Sequence, residues 1–115
     1  MQFGQLPEVA AAAVPVDGFL LDVREDDEWV AGHAEGALHI PMRQVVARFG
    51  ELTEAVADGR RVHVVCRVGG RSAQVAQYLI AQGLDAVNVG GGMLAWDAAG
   101  RPLISGRAEA DAFVL

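Results

Sequence analysis

The sequence contains no lysine and only one cysteine among its 115 residues. Because all nine basic residues are arginines, Schiff-base chemistry on a lysine is excluded, and planar guanidinium groups are the only strong cationic ligands for an anion. A single cysteine cannot form an internal disulfide, so we expect a reducing compartment and a cytoplasmic location. The formal net charge of -6 and the scattered arginines argue against a nucleic-acid partner.

Long hydrophobic runs are also missing. The first twenty residues, MQFGQLPEVAAAAVPVDGFL, have no basic residue before their alanines, and Asp17 interrupts the apolar stretch well short of a membrane span. We therefore predict neither a signal peptide nor a transmembrane helix, and no membrane partner.

The length and the hydrophobic content of 52% fit one globular domain over residues 1–115. Strand-length apolar runs alternate with helical patterns, which predicts an α/β fold with a mainly parallel sheet of about five strands and helices on both faces. The predicted strands are Phe19–Val23, Ala37–Ile40, Val62–Val65 and Ala86–Val89, with a weaker one at Gln2–Phe3. The predicted helices are Leu6–Ala13, Asp26–Ala31, Met42–Ala57, Ser72–Gln82 and Met93–Asp97.

The segment VVCRVGGRS places Cys66 between a predicted strand and a helix start. Ligands of open α/β sheets bind outside the carboxyl ends of the strands, where this loop lies. Gly69 and Gly70 allow the backbone amides to turn inward, and the following helix adds unpaired N–H groups, so the loop suits an anion. The first anion to benefit is the thiolate of Cys66, and we expect its pKa to be lowered.

A lone cysteine at a strand end is more commonly a small buried hydrophobic residue. The neighbouring Arg67 and Arg71 and the two glycines favour the other interpretation, because reactive cysteines lie in electropositive loops of this kind. No metal site is expected, since three histidines and one cysteine show no ligand-pair spacing, and no cofactor is predicted.

Three segments resemble the rhodanese (thiosulfate sulfurtransferase) family in its single-domain form: LLDVREDDEWVAGHAEGALHIP, VVCRVGGRSAQVAQYL and NVGGGMLAW. With their spacing they cover about residues 19–103, and the tail 104–115 has no assigned role. The resemblance implies a three-layer fold with a five-stranded parallel sheet and an active loop from Cys66 to Arg71. It also makes the glycines at 90–92 a tight turn beside that loop.

The resemblance further implies a sulfur transfer in two half-reactions, with Cys66 as the catalytic residue. Its thiolate takes the outer sulfur of thiosulfate, releases sulfite, and passes the sulfur on to cyanide or to a thiol such as glutathione or thioredoxin. The persulfide and the donor would be bound by the rest of the loop, namely Arg67, Val68, Gly69, Gly70, Arg71 and Ser72. The two arginines are suited to different roles. Arg71 can fold inward and hydrogen-bond the loop carbonyls, and Arg67 can face the solvent and bind the incoming anion.

Other residues of the resembling segments are expected to support the site. Asp22 and Arg24 correspond to positions that tie the central strand to its neighbours by ionic hydrogen bonds. His33 and His39 are expected to hydrogen-bond the loop between helix and strand. The acidic run from Glu25 to Glu28 is interpreted as a solvated helix start in which Asp26 or Asp27 is the cap.

Two other functions fit the same residues. Cysteine-dependent phosphatases and arsenate reductases also close a cysteine loop with an arginine, but their pattern is C-x5-R, and Cys66 to Arg71 is one residue shorter. A sulfur-relay domain, which takes persulfide sulfur from a partner protein, would retain the cysteine and both arginines.

Overall fold

A computed structural model describes residues 6–108 and 110–115, so the weak strand predicted at Gln2–Phe3 lies outside the described residues. Five parallel strands form one sheet in the order β1-β5-β4-β2-β3. The strands are β1 (Glu8–Ala10), β2 (Phe19–Asp22), β3 (Leu38–His39), β4 (Val62–Val65) and β5 (Ala86–Gly90). The predicted α/β architecture with a parallel sheet is confirmed.

The described residues form four α-helices: α1 (Asp26–Ala31), α2 (Phe49–Ala55), α3 (Gly70–Ala81) and α4 (Gly92–Ala98). The first three each connect two strands, and α4 follows β5. Short 3-10 turns cover Ala11–Ala13 and Met42–Gln44. None of the helices in the described residues is long and apolar enough to cross a membrane.

The sheet has an apolar cluster on each face because its three inner strands, β2, β4 and β5, are buried on both sides. One cluster joins Leu21 and Val64 to Leu52 of α2 and Leu79 of α3. The other collects Leu20, Val65 and Val89 against the helix α4 and the turn that precedes β2, through Ala11, Val14, Met93 and Trp96. The result is a three-layer molecule with β4 in the middle of the sheet.

The helix predicted over Leu6–Ala13 is wrong. The chain instead forms β1, which pairs in parallel with β5 from Glu8 opposite Asn88 to Ala10 opposite Gly90, and then a 3-10 turn. The alanine run has a high helix propensity, but residues Glu8–Ala10 satisfy their backbone groups by pairing with the edge of β5, which leaves only Ala11–Ala13 for a single 3-10 turn.

The helix predicted over Met42–Ala57 is broken. A 3-10 turn and further turns come first, and α2 begins only at Phe49. Within the turns Val45 is buried in the core, while its neighbour Val46 is 69% exposed. The turns thus place the β-branched side chain of Val45, and not that of Val46, in the core.

Candidate active site

The carboxyl edge of the sheet carries the loop that contains Cys66. β4 ends at Val65, and α3 begins at Gly70, so only residues 66–69 connect strand and helix. Gly69, the N-cap of α3, has a φ of 118°, a left-handed conformation that side chains rarely adopt. The tight connection turns the first amides of α3 toward the sulfur.

The sulfur of Cys66 accepts hydrogen bonds from this loop. The backbone N–H of Gly69 lies 3.1 Å from Sγ, and Oγ of Ser72 lies 3.2 Å from it. Burial of the sulfur raises the pKa of the Cys66 thiol, but hydrogen bonds from the Ser72 hydroxyl and from the amides of Ser72, Gly69 and Val68 outweigh it. The pKa of the thiol is therefore lowered from its ordinary value.

Cys66 is only 1% exposed, although the loop around it is open to solvent. The helix α4 covers its backbone: the N–H of Met93 donates to the carbonyl of Cys66 at 2.8 Å and that of Leu94 to the carbonyl of Arg67 at 3.1 Å. The cysteine thus combines the burial of a core residue with the hydrogen bonding of a stabilised anion. Its surroundings distinguish it from an inert thiol, because the groups that reach the sulfur are donors.

Arg71 does not fold over the loop carbonyls. Its Nη1 and Nη2 bind the two carboxylate oxygens of Glu28 at 2.7 and 2.9 Å, which ties the start of α3 to α1. The hydrogen bond from Arg71 holds the pKa of Glu28 below its ordinary value. Glu28 is therefore not part of a solvated helix start, and sequence reasoning missed its place at the site.

Arg67 faces outward, and its Nε donates to the backbone oxygen of Leu115 at 3.0 Å. This contact belongs to a tail that crosses the molecule: His33 and Ile104 form an antiparallel bridge, and the N–H of Phe113 donates to Ala31. Val114 packs against the apolar cluster around Trp96 and Met93. The tail therefore docks beside the active loop.

Asp22 and Arg24 form a buried ion pair at the end of β2, with Nη2 of Arg24 2.7 Å from Oδ2 of Asp22. The same Nη2 donates to the carbonyl of Gly32 at 2.8 Å, so the pair links β2 to the end of α1. This differs from the expected tie between a central strand and its neighbours, since β4 is the central strand. Nη1 of Arg24 is buried and has no partner within the described part of the chain.

The two histidines of the GHAEGALHIP segment hold the connection between α1 and β3. Nδ1 of His33 lies 2.7 Å from the carbonyl of Trp29, and Nε2 of His39 lies 2.8 Å from that of Arg24. The indole of Trp29 stacks in parallel with both imidazole rings. The cap of α1 is Glu25 and not Asp26 or Asp27, and its N–H donates to Glu28 at 2.9 Å.

Comparisons with known proteins agree with this architecture. Residues 7–99 match the family model of the rhodanese-like domain. The chain is 39% identical over 84 residues to "Putative sulfurtransferase YtwF" of Bacillus subtilis, covering 73% of this chain and 78% of that protein. It is 37% identical over 78 residues to "Putative sulfur carrier protein YrkF" of the same organism, covering 67% of this chain and 40% of the relative.

Among solved structures, the thiosulfate sulfurtransferase of Pseudomonas aeruginosa superposes with a TM-score of 0.76 at 28% identity, covering 89% of this chain and 21% of that one. The family model spans most of the described residues, and the two relatives carry the names of a sulfurtransferase and a sulfur carrier. The chain therefore belongs to the rhodanese family and is a domain of the sulfurtransferase type.

Proposed function

We propose that the protein transfers the sulfane sulfur of thiosulfate through a persulfide of Cys66 to cyanide or to a thiol acceptor. The thiolate of Cys66 attacks the outer sulfur, and the bond to the sulfite sulfur breaks with its electron pair leaving on sulfite. In the second half-reaction the acceptor attacks the outer sulfur of the persulfide, and the electron pair returns to Cys66. Neither step needs a general base when both nucleophiles are anionic.

The observation that carries this proposal is the set of donors directed at one sulfur. The N–H of Gly69 and the hydroxyl of Ser72 contact Sγ, and the pKa of the thiol is lowered despite its burial. The loop ends at the N-terminus of the twelve-residue helix α3, whose partial positive charge suits the additional negative charge of a persulfide or a departing sulfite.

Arg67 is the better candidate for the ligand of the thiosulfate oxygens. Both terminal nitrogens of Arg71 are taken up by Glu28, whereas in the described part of the chain only Nε of Arg67 has a hydrogen-bond partner. Two terminal nitrogens of Arg67 are thus available to a dianion at the mouth of the loop. The ion pair of Arg71 with Glu28 also argues against phosphatase chemistry, because a phosphatase would need that guanidinium to bind the oxyanion of its substrate.

A sulfur relay is the second candidate function. The mouth of the loop exposes two apolar side chains, with Val68 55% and Leu94 38% exposed, and such a rim suits a protein surface better than a small dianion. A relative is named a sulfur carrier. In this case the donor is a persulfide on a partner protein, and thioredoxin or glutathione remains a proposed acceptor in a reducing, cytoplasmic setting.

Mass spectrometry of the intact protein after incubation with thiosulfate tests the proposal. We expect a gain of one sulfur atom that cyanide removes, with release of one equivalent of sulfite, and neither in Cys66→Ser. Arg61→Gln, which alters a surface ion pair with Asp85, is the control and should behave as wild type. A gain of sulfur from a persulfide-bearing protein but not from thiosulfate would instead identify a relay. No gain from either donor would refute sulfur transfer through Cys66.

A further inference from the structure

Asn88 is a buried polar residue whose side chain points toward the active loop. It lies on β5 and is 3% exposed. Its Nδ2 donates to the carbonyl of Gly69 and to a carboxylate oxygen of Glu8, both at 3.2 Å. Because both partners of Nδ2 are acceptors, the amide orientation is determined, and Oδ1 faces the hydroxyl of Ser72 at 2.6 Å.

The hydroxyl of Ser72 has one hydrogen and three acceptors within reach. Oδ1 of Asn88 is at 2.6 Å, while Sγ of Cys66 and the carbonyl of Gly69 are each at 3.2 Å. The carbonyl of Gly69 already accepts from the N–H of Ala73 at 3.1 Å and from Asn88. The two main competing acceptors for the hydroxyl hydrogen of Ser72 are therefore Oδ1 of Asn88 and Sγ of Cys66.

The charge of the sulfur decides which acceptor receives this hydrogen. A neutral thiol can donate its own S–H to Oγ of Ser72, and the Ser72 hydroxyl then donates to Asn88. A thiolate has no hydrogen to give and must accept, so the Ser72 hydrogen turns to the sulfur and Oδ1 of Asn88 loses its donor. A buried acceptor that loses its donor destabilises the state in which this occurs.

We propose that Asn88 is a positioning residue that competes with the Cys66 sulfur for the single hydroxyl hydrogen of Ser72 and thereby restrains ionisation of the thiol. This inference rests on the proposed function in one respect, namely that the thiolate is the attacking species. The restraint has a chemical use, because the nucleophilicity of a thiolate falls as the pKa of its thiol falls. The loop donors favour the thiolate, and Asn88 limits their effect so that the thiolate stays basic enough to attack quickly.

The test is a titration of the thiolate by its ultraviolet absorbance, which belongs to Cys66 alone because the chain has one cysteine. In Asn88→Ala the competing acceptor is gone, so we expect the thiol pKa to fall by about one unit, a tenfold rise in the ratio of thiolate to thiol at a given pH. If Asn88 only held the loop in place, its loss would weaken the amide donors and the thiol pKa would rise. A rise or an unchanged pKa would overturn the proposal.

Val87→Ala is the matched control. It shortens the preceding buried side chain of β5, which points to the opposite face of the sheet, and the thiol pKa should not fall. The decisive comparison repeats Asn88→Ala in a Ser72→Ala background. Without the hydroxyl the fall should vanish, and a fall of equal size in both backgrounds would show that Asn88 does not act through Ser72.

A measurement on the wild type does not depend on the folding of any variant. The side-chain amide resonances of Asn88, the only asparagine, should shift with the same midpoint as the thiolate absorbance. Amide resonances that do not respond across the thiol titration would contradict the proposal. All these readouts are taken without a sulfur donor. A protein that shows them but gains no sulfur would disprove the proposed function and leave this inference intact.

Discussion

At the scale of single residues, Glu28 changes the electrostatics of the loop. Its carboxylate binds both terminal nitrogens of Arg71, and its side chain is 12% exposed. The positive charge nearest the start of α3 is thereby neutralised by a partner on α1. Stabilisation of the thiolate therefore depends on N–H and O–H donors more than on a free guanidinium.

The ion pair gives the folded protein a defined response to acid. The Arg71 hydrogen bond lowers the pKa of Glu28 from its ordinary value of 4.5, so this pair stabilises the fold above the unfolded pKa. The stabilisation is lost as the pH falls from about 4.5 through the lower folded pKa. We expect a loss of at most about 1 kcal/mol, since the Arg71 side chain is 35% exposed.

Chemical denaturation of wild type and Glu28→Gln from about pH 6 down to about pH 3 measures this loss. The difference in unfolding free energy between the two proteins should shrink as the pH falls. Glu54→Gln, a carboxylate for which no hydrogen bond or ion pair is found in the described residues, is the control. A difference that stays constant over this range would mean that Glu28 is not linked to the fold through its charge.

At the scale of elements, the approach of α4 to the active loop depends on Gly92. Its φ is 59°, and a Cβ at this position would lie 2.5 Å from the carbonyl oxygens of both Cys66 and Arg67. Those oxygens accept hydrogen bonds from the first N–H groups of α4, so the backbones of the helix and the loop are in direct contact. A residue with a Cβ at this position must push α4 away from the loop or strain the backbone of α4.

We therefore expect Gly92→Ala to destabilise the protein by about 3 kcal/mol or more, combining conformational strain with overpacking, and to reduce sulfur transfer. Gly100→Ala is the matched control, because Gly100 also has a left-handed φ of 73° but no atom within 4 Å of its Cβ position. It should cost only about 1 kcal/mol. Thermal unfolding compares the two, and equal losses would show that the close approach of α4 does not matter.

Elements with a strong local signal were predicted well. The apolar pattern of Val75, Ala76 and Leu79 predicted both ends of α3 to within two residues. All three side chains are buried, whereas Ile80 of the same stripe is 39% exposed. The sequence failed where a neighbour decides the structure. Residues Glu8–Ala10 form a strand because they pair with the edge of β5, and no local pattern of residues 6–13 indicates that pairing.

At the scale of the whole molecule, the tail connects distant parts of the fold. It pairs with His33, contacts Ala31 through Phe113, packs Val114 on the cluster around Trp96, and reaches Arg67 through Leu115. A Cβ at Gly32 would lie 2.3 Å from the backbone oxygen of Phe113, which shows how closely the tail is seated. Leu115 of the tail therefore occupies Nε of Arg67, the residue that we propose to bind thiosulfate.

Deletion of residues 113–115 should therefore have two separable effects. The loss of the apolar contact of Val114 and of two hydrogen bonds should lower stability by about 1 to 2 kcal/mol, or several degrees in Tm. Release of Arg67 should lower the KM for thiosulfate about two- to fivefold, the scale of an exposed ionic contact. In an Arg67→Ala background, thermal unfolding should still show the loss of stability caused by the deletion, and steady-state kinetics should show no fall in KM. A KM that falls equally in that background would exclude Arg67 as the cause.

The sequence by itself determined the parallel α/β architecture, the strand-to-helix loop around Cys66 and the family, because these depend on periodicity, glycine positions and residue types that are close along the chain. Only the tertiary structure decided the partners of the loop. Glu28 and Arg71 are 43 residues apart, Ser72 and Asn88 are 16 apart, and Arg67 and Leu115 are 48 apart. Hydrophobic patterning selects which face of an element is buried, but which polar groups meet across elements depends on how those elements pack.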